Sequence, residues 1–458
     1  MTSQPFNIVY LHCHDAGRYI QPHGYAVPTP SLQRLAEQGV LFRQAFTNNP
    51  TCSPSRACLL TGQYAHVNGM LGLAHRGFRL NDYSHHLIHT LHRQGYTSAL
   101  AGMQHIANDR TPGGAKVSDI GYHRILTEDP HFLIPTEAAI DFLHEKHESP
   151  FFLSVGYFAP HRGKIKHRPA ESFPSLGPAL DERYVCPPAP FPDNPQTRRD
   201  MAEYASSMHS TDLCMGRVLE ALDRTGLADN TLVIATTDHG VAFPGMKCRL
   251  TDHGIGVMLI LRGPEGGPLR GGRVVDAMVS HLDLFPTLCE GLGIEPPDRL
   301  QGKSLLPLVD GRADRLHDEI FAEVNFHAAY EPMRAVRTDR WKYIRHLGGF
   351  DTPVLPNVDD SLTKSFLVRE GWSKQTPPTE ELFDLSFDPQ ERHNLASDPT
   401  QKPVLSIMRD RLQRWMRDTD DPAQAGSVPL PEHGYVVSPR AYSPNGDAAS
   451  ADETAFIE

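Results

Sequence analysis

The sequence predicts an α/β protein: a large, mostly parallel central sheet flanked by helices, with a smaller C-terminal α+β subdomain on an antiparallel sheet. Three observations point there. Short apolar runs alternate with helical stretches from residue 7 to about residue 293. Polar residues follow directly on several of those runs, where open α/β sheets collect ligands. After about residue 315 the alternation gives way to strand-like segments.

The elements follow in order. NIVYLHC (7–13) is a buried strand ending at His14, Asp15, Ala16 and Gly17. Thr29-Pro30 opens a helix with Leu32, Leu35 and Ala36 on one face and Gly39 as its stop. A second helix covers about 84–94, closed by Gly95. TSALA (97–101) is a strand ending at Gly102, and 136–147 is helical. FFLSVGY (151–157) is a strand ending at Ala159-Pro160-His161. A long helix over 199–226 precedes the strand TLVIAT (231–236), which runs into Thr237-Asp238-His239-Gly240. VMLILR (257–262) is a further strand and 283–293 a helix. EIFAEVNF (319–326) and MRAVRTDRWKYIRHL (333–347) read as antiparallel strands, followed by a helix over about 401–417. The expected organisation is a catalytic domain over 1–315, a subdomain over 316–419 and a tail over 420–458. The tail is rich in Pro, Ser, Ala and Gly, an arm over the surface or a partner, or else disordered.

Composition narrows the function classes. Hydrophobic residues at 39% and charged residues at 22% fit a soluble globular chain. A net charge of −11 argues against a nucleic-acid partner, yet leaves room for a local cationic pocket and a small anionic substrate. No run of about 18 apolar residues is present, so no membrane span is expected. The N-terminus lacks a basic region followed by an apolar one, so a cytoplasmic location is expected. The seven cysteines are scattered without C-x-x-C spacing, which disfavours disulfides and thiolate zinc sites. The long tail makes a homo-oligomer plausible.

The chemistry starts at TCSPSRACLLTG (51–62). Pro54 and the helix-forming stretch after it place Cys52 at a helix N-terminus, where backbone N–H groups favour an anion. Arg56 adds a forked donor suited to sulfate or phosphate. Alone, Cys52 could equally be a buried thiol beside a turn, and Asp238-His239 a turn and cap.

The motif C-x-P-x-R followed by A-x-L-L-T-G resembles the signature of the type I, formylglycine-dependent sulfatases of the alkaline phosphatase superfamily. TPSLQRLAEQGVLFRQAF, APHRG, TTDHG, KCRLTDHGIGVMLI and ELFDLSFDPQERHNLA resemble further family segments in the family's order, over roughly residues 6–400. The wording around Cys52 is most similar to the heparan N-sulfatase (sulfamidase) branch and its bacterial relatives. The resemblance implies an alkaline-phosphatase-like sandwich. It implies that a maturation enzyme oxidises Cys52 to formylglycine, whose hydrated form attacks sulfur. It implies one divalent metal held by Asp15, Asp238, His239 and an oxygen of modified Cys52: calcium first, with manganese or magnesium as alternatives. Arg56, His105, His161 and Lys247 match the family's anion-binding and acid–base positions, His161 as a candidate general acid.

Two positions depart from the pattern. His14-Asp15 stands where the family carries two aspartates, so His14 either ligates the metal or the alignment slips by one. A nitrogen ligand would suit manganese better than calcium. Met103 stands where the family has a lysine. His327 could line the substrate mouth or be structural, and the basic run GKIKHR (163–168) could grip an acidic sugar or be a solvated loop. The expected function is hydrolysis of sulfate esters or N-sulfated sugars. One rival is a phosphonate monoester hydrolase or phosphodiesterase of the same superfamily; another is an inactive glycan-binding member.

Overall fold

The computed structural model describes residues 5–164, 171–447 and 449. Two sheets organise it. The strands of the first are β1 (Asn7–Cys13), β2 (Val40–Phe46), β3 (Thr97–Gly102), β4 (Arg124–Thr127), β5 (Phe151–Gly156), β6 (Thr231–Thr237), β7 (Gly256–Val257), β8 (Leu259–Arg262) and β9 (Arg273–Ser280). Their order is β4-β3-β5-β1-β6-β8-β2-β7, with β9 added beside β2. The five strands from β4 to β6 are parallel. β8 is antiparallel to both of its neighbours, and β7 to β2. The second sheet, β10 (Ile320–Phe326), β11 (Tyr330–Arg337), β12 (Trp341–His346) and β13 (Glu380–Asp384), is wholly antiparallel.

The main helices are α1 (Pro30–Gln38), α2 (Cys52–Thr61), α3 (Leu133–His144), α4 (Pro195–Arg224), α5 (Leu284–Leu292) and α6 (Lys402–Asp418). The first five cover the faces of the large sheet, and α6 packs on β11 and β12 of the second. Ile8 and Tyr10 of β1 join one apolar cluster, while Val9, Leu11 and Cys13 join another on the opposite face. A strand buried on both faces reads as a continuous apolar run, as NIVYL does.

Two expectations need correction, and a third resolves to one of its alternatives. The single helix over about 84–94 is a 3-10 turn, Tyr83–His85, followed by a short helix, Leu87–His92. His86 between them is extended (φ −62°, ψ 138°), and its Nδ1 accepts from Ile88 N–H at 3.1 Å. The strand over 257–262 is interrupted at Met258 and runs antiparallel. The tail, through residue 447 and at 449, lies on the protein's own surface. Val428, Val436 and Val437 are buried, and Val437 N–H donates to Ala328 C=O at 2.9 Å. At its start, Asp421 accepts from buried Arg334 at 2.5 and 2.8 Å.

Sheet register positions the site. His12 is level with Gly156, and Cys13 with Thr237. The carboxyl ends of β1, β5 and β6 therefore stop side by side, and the residues that follow them converge on one spot.

Candidate active site

Cys52 is the first residue of α2, and Gly62, at φ 69°, ends that helix. The helix is buried along its whole length, so its N-terminal dipole acts in a low-dielectric setting. Asp15 follows β1 at φ 48°, a strained conformation for a residue with a side chain. Its own N–H donates to Oδ1 of Asp238 at 2.8 Å, which ties the two loops together.

Ligand atoms of Asp15, Cys52, Asp238 and His239 all lie within 4.8 Å of one another, and all four residues are buried. His239 Nε2 stands 3.4 Å from Cys52 Sγ and 3.4 Å from Asp15 Oδ1. A second grouping shares Asp15 and Cys52 and adds His14 and His161. Asp15 Oδ1 and His14 Nε2 are buried without a hydrogen-bond partner. Two carboxylates, an imidazole and a fourth donor around an unsatisfied oxygen fit a divalent cation. His14 lies outside the first quartet but touches it, with Nδ1 3.0 Å from Asp238 Oδ2. Burial, reinforced by Arg56, lowers the His14 imidazole to about 4.

Arg56, four residues into α2 and so one turn beyond Cys52, points back beneath the site. It donates to Asp238 Oδ2 at 3.0 Å, to Cys13 C=O at 3.1 Å and to His12 Nδ1 at 2.5 Å. Because arginine can only donate, His12 carries its proton on Nε2, 3.2 Å from Ser154 Oγ. Burial, then Arg56, holds His12 neutral, far below its ordinary value. Burial works against the charge of Asp238, but His239, Arg56 and His14 outweigh it and keep the carboxyl well below the usual range. Burial pushes the Cys52 thiol well up, opposed by Lys247.

Lys247 reaches the site from the loop after β6. Its Nζ lies 3.0 Å from Asp15 Oδ2, 3.1 Å from His161 Nε2 and 3.0 Å from Asp359 Oδ2. Burial would discharge it, but Asp15 and Asp359 hold the ammonium charged. His105 stands at φ 56° with its ring stacked on His75; His105 Nε2 is 3.0 Å from His75 Nδ1. Its ring centre is 5.4 Å from that of His14. Position 103 brings no charge, and Met103 N–H pairs with Gly156 C=O at 2.9 Å. His327 is buried, its imidazole lowered by burial and then by Lys247. Of the run 163–168, residues 165–168 lie outside the described residues.

The structure thus gathers His14, Asp15, Cys52, Arg56, His161, Asp238, His239 and Lys247 in one cluster, with His105 at its edge. Sequence reasoning missed His12, His75 and Asp359. His12 could have been found as the inward neighbour of the polar end of β1. Asp359 sits in NVDD, which carries no recognisable pattern.

A sulfatase family model matches residues 7–294, and a model of the C-terminal part of N-sulphoglucosamine sulphohydrolase matches residues 247–358. N-sulphoglucosamine sulphohydrolase of Homo sapiens is 31% identical, over 92% of this chain and 91% of that protein. An ulvan-active sulfatase of Formosa agariphila is 28% identical, over 90% of this chain and 79% of that protein. Among solved structures, one in complex with its substrate D-glucosamine-2-N,6-O-disulfate aligns with TM-score 0.67 at 18% identity, over 92% and 99% of the two chains. The phosphonate monoester hydrolase of Agrobacterium radiobacter aligns with TM-score 0.66 at 22% identity, over 94% and 99%. These two likenesses concern the fold alone. With the family model spanning more than half of the chain and a relative above 30% identity along nearly all of it, the chain belongs to the sulfatase family.

Proposed function

We propose that this protein hydrolyses sulfated sugars, with N-sulfated glucosamine units as its preferred class, through a formylglycine made from Cys52. The observation that carries the reading is the convergence of Asp15, Asp238, His239, Lys247 and His161 on Cys52 at the start of α2. The human relative and the C-terminal match support the N-sulfated class.

Asp15, Asp238, His239 and modified residue 52 would hold one divalent cation, which when bound polarises sulfate oxygens and favours the ionised nucleophile. Calcium suits the carboxylates; the nearby His14 nitrogen is the reason to test manganese. Arg56 fixes Asp238 and the base of α2. Lys247 supplies a cation to the sulfate, and the α2 N-terminus adds its N–H groups. His161, in contact with Lys247, is placed to hand a proton to the leaving atom. A maturation enzyme must convert Cys52 beforehand. The intact cluster weighs against an inactive glycan binder.

The test is mass spectrometry of the 51–62 peptide together with turnover of an aryl sulfate, N-sulfoglucosamine, an aryl phosphodiester and a phosphonate monoester, each with added Ca²⁺ or Mn²⁺. Formylglycine with sulfate release preferred is the expected result. Preference for the phosphorus substrates would move the chain to the rival activity, and His14 and Met103 would be the first positions to revert. Cys52→Ser should abolish turnover nearly completely.

A further inference from the structure

Asp359 follows a 3-10 turn, Leu355–Asn357, and is 6% exposed. Its Oδ2 is 3.0 Å from Lys247 Nζ. That same ammonium reaches Asp15 and His161. One lysine thus faces two carboxylates. Asp15 is committed to the metal grouping, whereas Asp359 belongs to neither ligand group among the described residues. A pocket built to accept sulfate loses affinity by keeping a spare carboxylate beside its lysine, unless the carboxylate has a donor to meet. Asp359 stays ionised: burial alone would raise it, but Lys247, His161 and His327 outweigh that.

The position of that carboxylate matters. His161, the candidate proton donor to the leaving atom, and Asp359 both meet the Lys247 ammonium, which sets Asp359 one side chain away from the leaving-atom end of the pocket. A sulfate ester presents an oxygen there, with lone pairs only. A sulfamate presents an N–H. A carboxylate accepts from the N–H and repels the ester oxygen.

We infer that Asp359 is a specificity residue that selects sulfamates over sulfate esters by accepting a hydrogen bond from the N–H of the scissile S–N unit. In that cleavage sulfur gains a bond to the nucleophilic oxygen of residue 52. The S–N electron pair passes to nitrogen, which takes a proton that the Lys247 ammonium passes through His161 Nε2. The amine that leaves is neutral and carries two N–H groups, one of which stays hydrogen-bonded to the Asp359 carboxylate as the S–N bond breaks. His327 is buried with Nδ1 unpartnered.

The inference rests on the sulfatase reading, and one experiment separates the two. kcat/KM is measured for N-sulfoglucosamine and for an aryl sulfate on matured, metal-loaded enzyme, wild type and Asp359→Asn, with melting temperatures for both. The expected result is that the sulfamate-to-ester ratio falls at least about tenfold in Asp359→Asn, because a hydrogen bond to a charged acceptor is lost. An unchanged ratio, including equal losses on both substrates, overturns the inference. So does a wild-type enzyme that cleaves the ester and leaves the sulfamate. A wild type with verified formylglycine that cleaves neither overturns the sulfatase reading itself. Should Asp359→Asn fail to fold, Asp359→Glu, which keeps the charge but moves the acceptor by one methylene, reads the same ratio.

Discussion

Arg56 donates to Oδ2 of Asp238 at 3.0 Å, and neither side chain reaches water. Helix α2 and the loop after β6 are thus joined by one buried ion pair. Ser55 strengthens the joint by donating to Asp238 C=O at 2.6 Å. Buried pairs contribute little net stability when intact, but breaking one strands a charge. The pair therefore acts mainly to fix Cys52 relative to Asp238.

Arg56→Met should leave the Asp238 carboxylate and the His12 imidazole without their partner. The expected loss is about 3 kcal/mol of unfolding free energy, read from urea denaturation. Metal affinity should fall with it, read by calorimetric titration of Ca²⁺. A variant as stable as the parent would show that Asp238 is held by its other contacts alone.

Gly156 is the one position at the end of β5 where a side chain cannot fit. An added Cβ would lie 2.1 Å from Met103 C=O and 2.4 Å from His12 Cε1. Neither can retreat: the carbonyl belongs to the backbone leaving β3, and His12 supports Arg56. Gly156→Ala should cost about 2 kcal/mol by overpacking. It should also lower turnover more than tenfold without raising KM in proportion, because the substrate-facing groups are untouched. Steady-state kinetics beside a melting curve check both.

Much of this site was legible because its residues follow strand ends. A strand buried on both faces shows as an apolar run, and the first polar residues after it must lie at the sheet's carboxyl edge; Asp15, His161 and Asp238 were found this way. β2, β4, β9 and β13 were not read. β2 carries Arg43 and Gln44 in its middle, and three residues of β9 are charged or exposed. The helix over 84–94 failed because apolar periodicity cannot report that His86 leaves the helical region to cap the next turn. Asp359 was invisible for another reason. Its partner Lys247 is 112 positions away, and only the packing of the C-terminal subdomain against the large sheet brings them together.

Removing the metal should unmask the charges it balances. With Asp15 and Asp238 buried and an Asp15 oxygen unpartnered, dialysis against a chelator should abolish turnover and lower the melting temperature. Re-addition at a hundred times the dissociation constant should restore about 2.7 kcal/mol. Calorimetry with Ca²⁺, Mg²⁺ and Mn²⁺ on the parent and on His14→Asp ranks the ions. If His14 is a ligand, His14→Asp should shift preference from Mn²⁺ towards Ca²⁺.

Stability should also fall in acid for a reason remote from the site. His86 is fully buried, its Nδ1 accepts from Ile88 N–H, and its Nε2 has no partner. Burial, then His89 and His92, lowers it from 6.5 to about 3. Between those values the unfolded chain binds a proton that the folded chain refuses. The stabilising contribution is therefore complete above pH 6.5 and is lost as pH falls towards 3. One proton per molecule corresponds to about 1.4 kcal/mol per pH unit. His86→Asn keeps an acceptor for the Ile88 cap and removes the titration. Urea midpoints at pH 7, 6, 5 and 4 should thus decline less steeply in His86→Asn than in the parent. Parallel declines would mean that His86 gains its proton within the folded state, through an opening of the 83–92 segment that the native packing does not display.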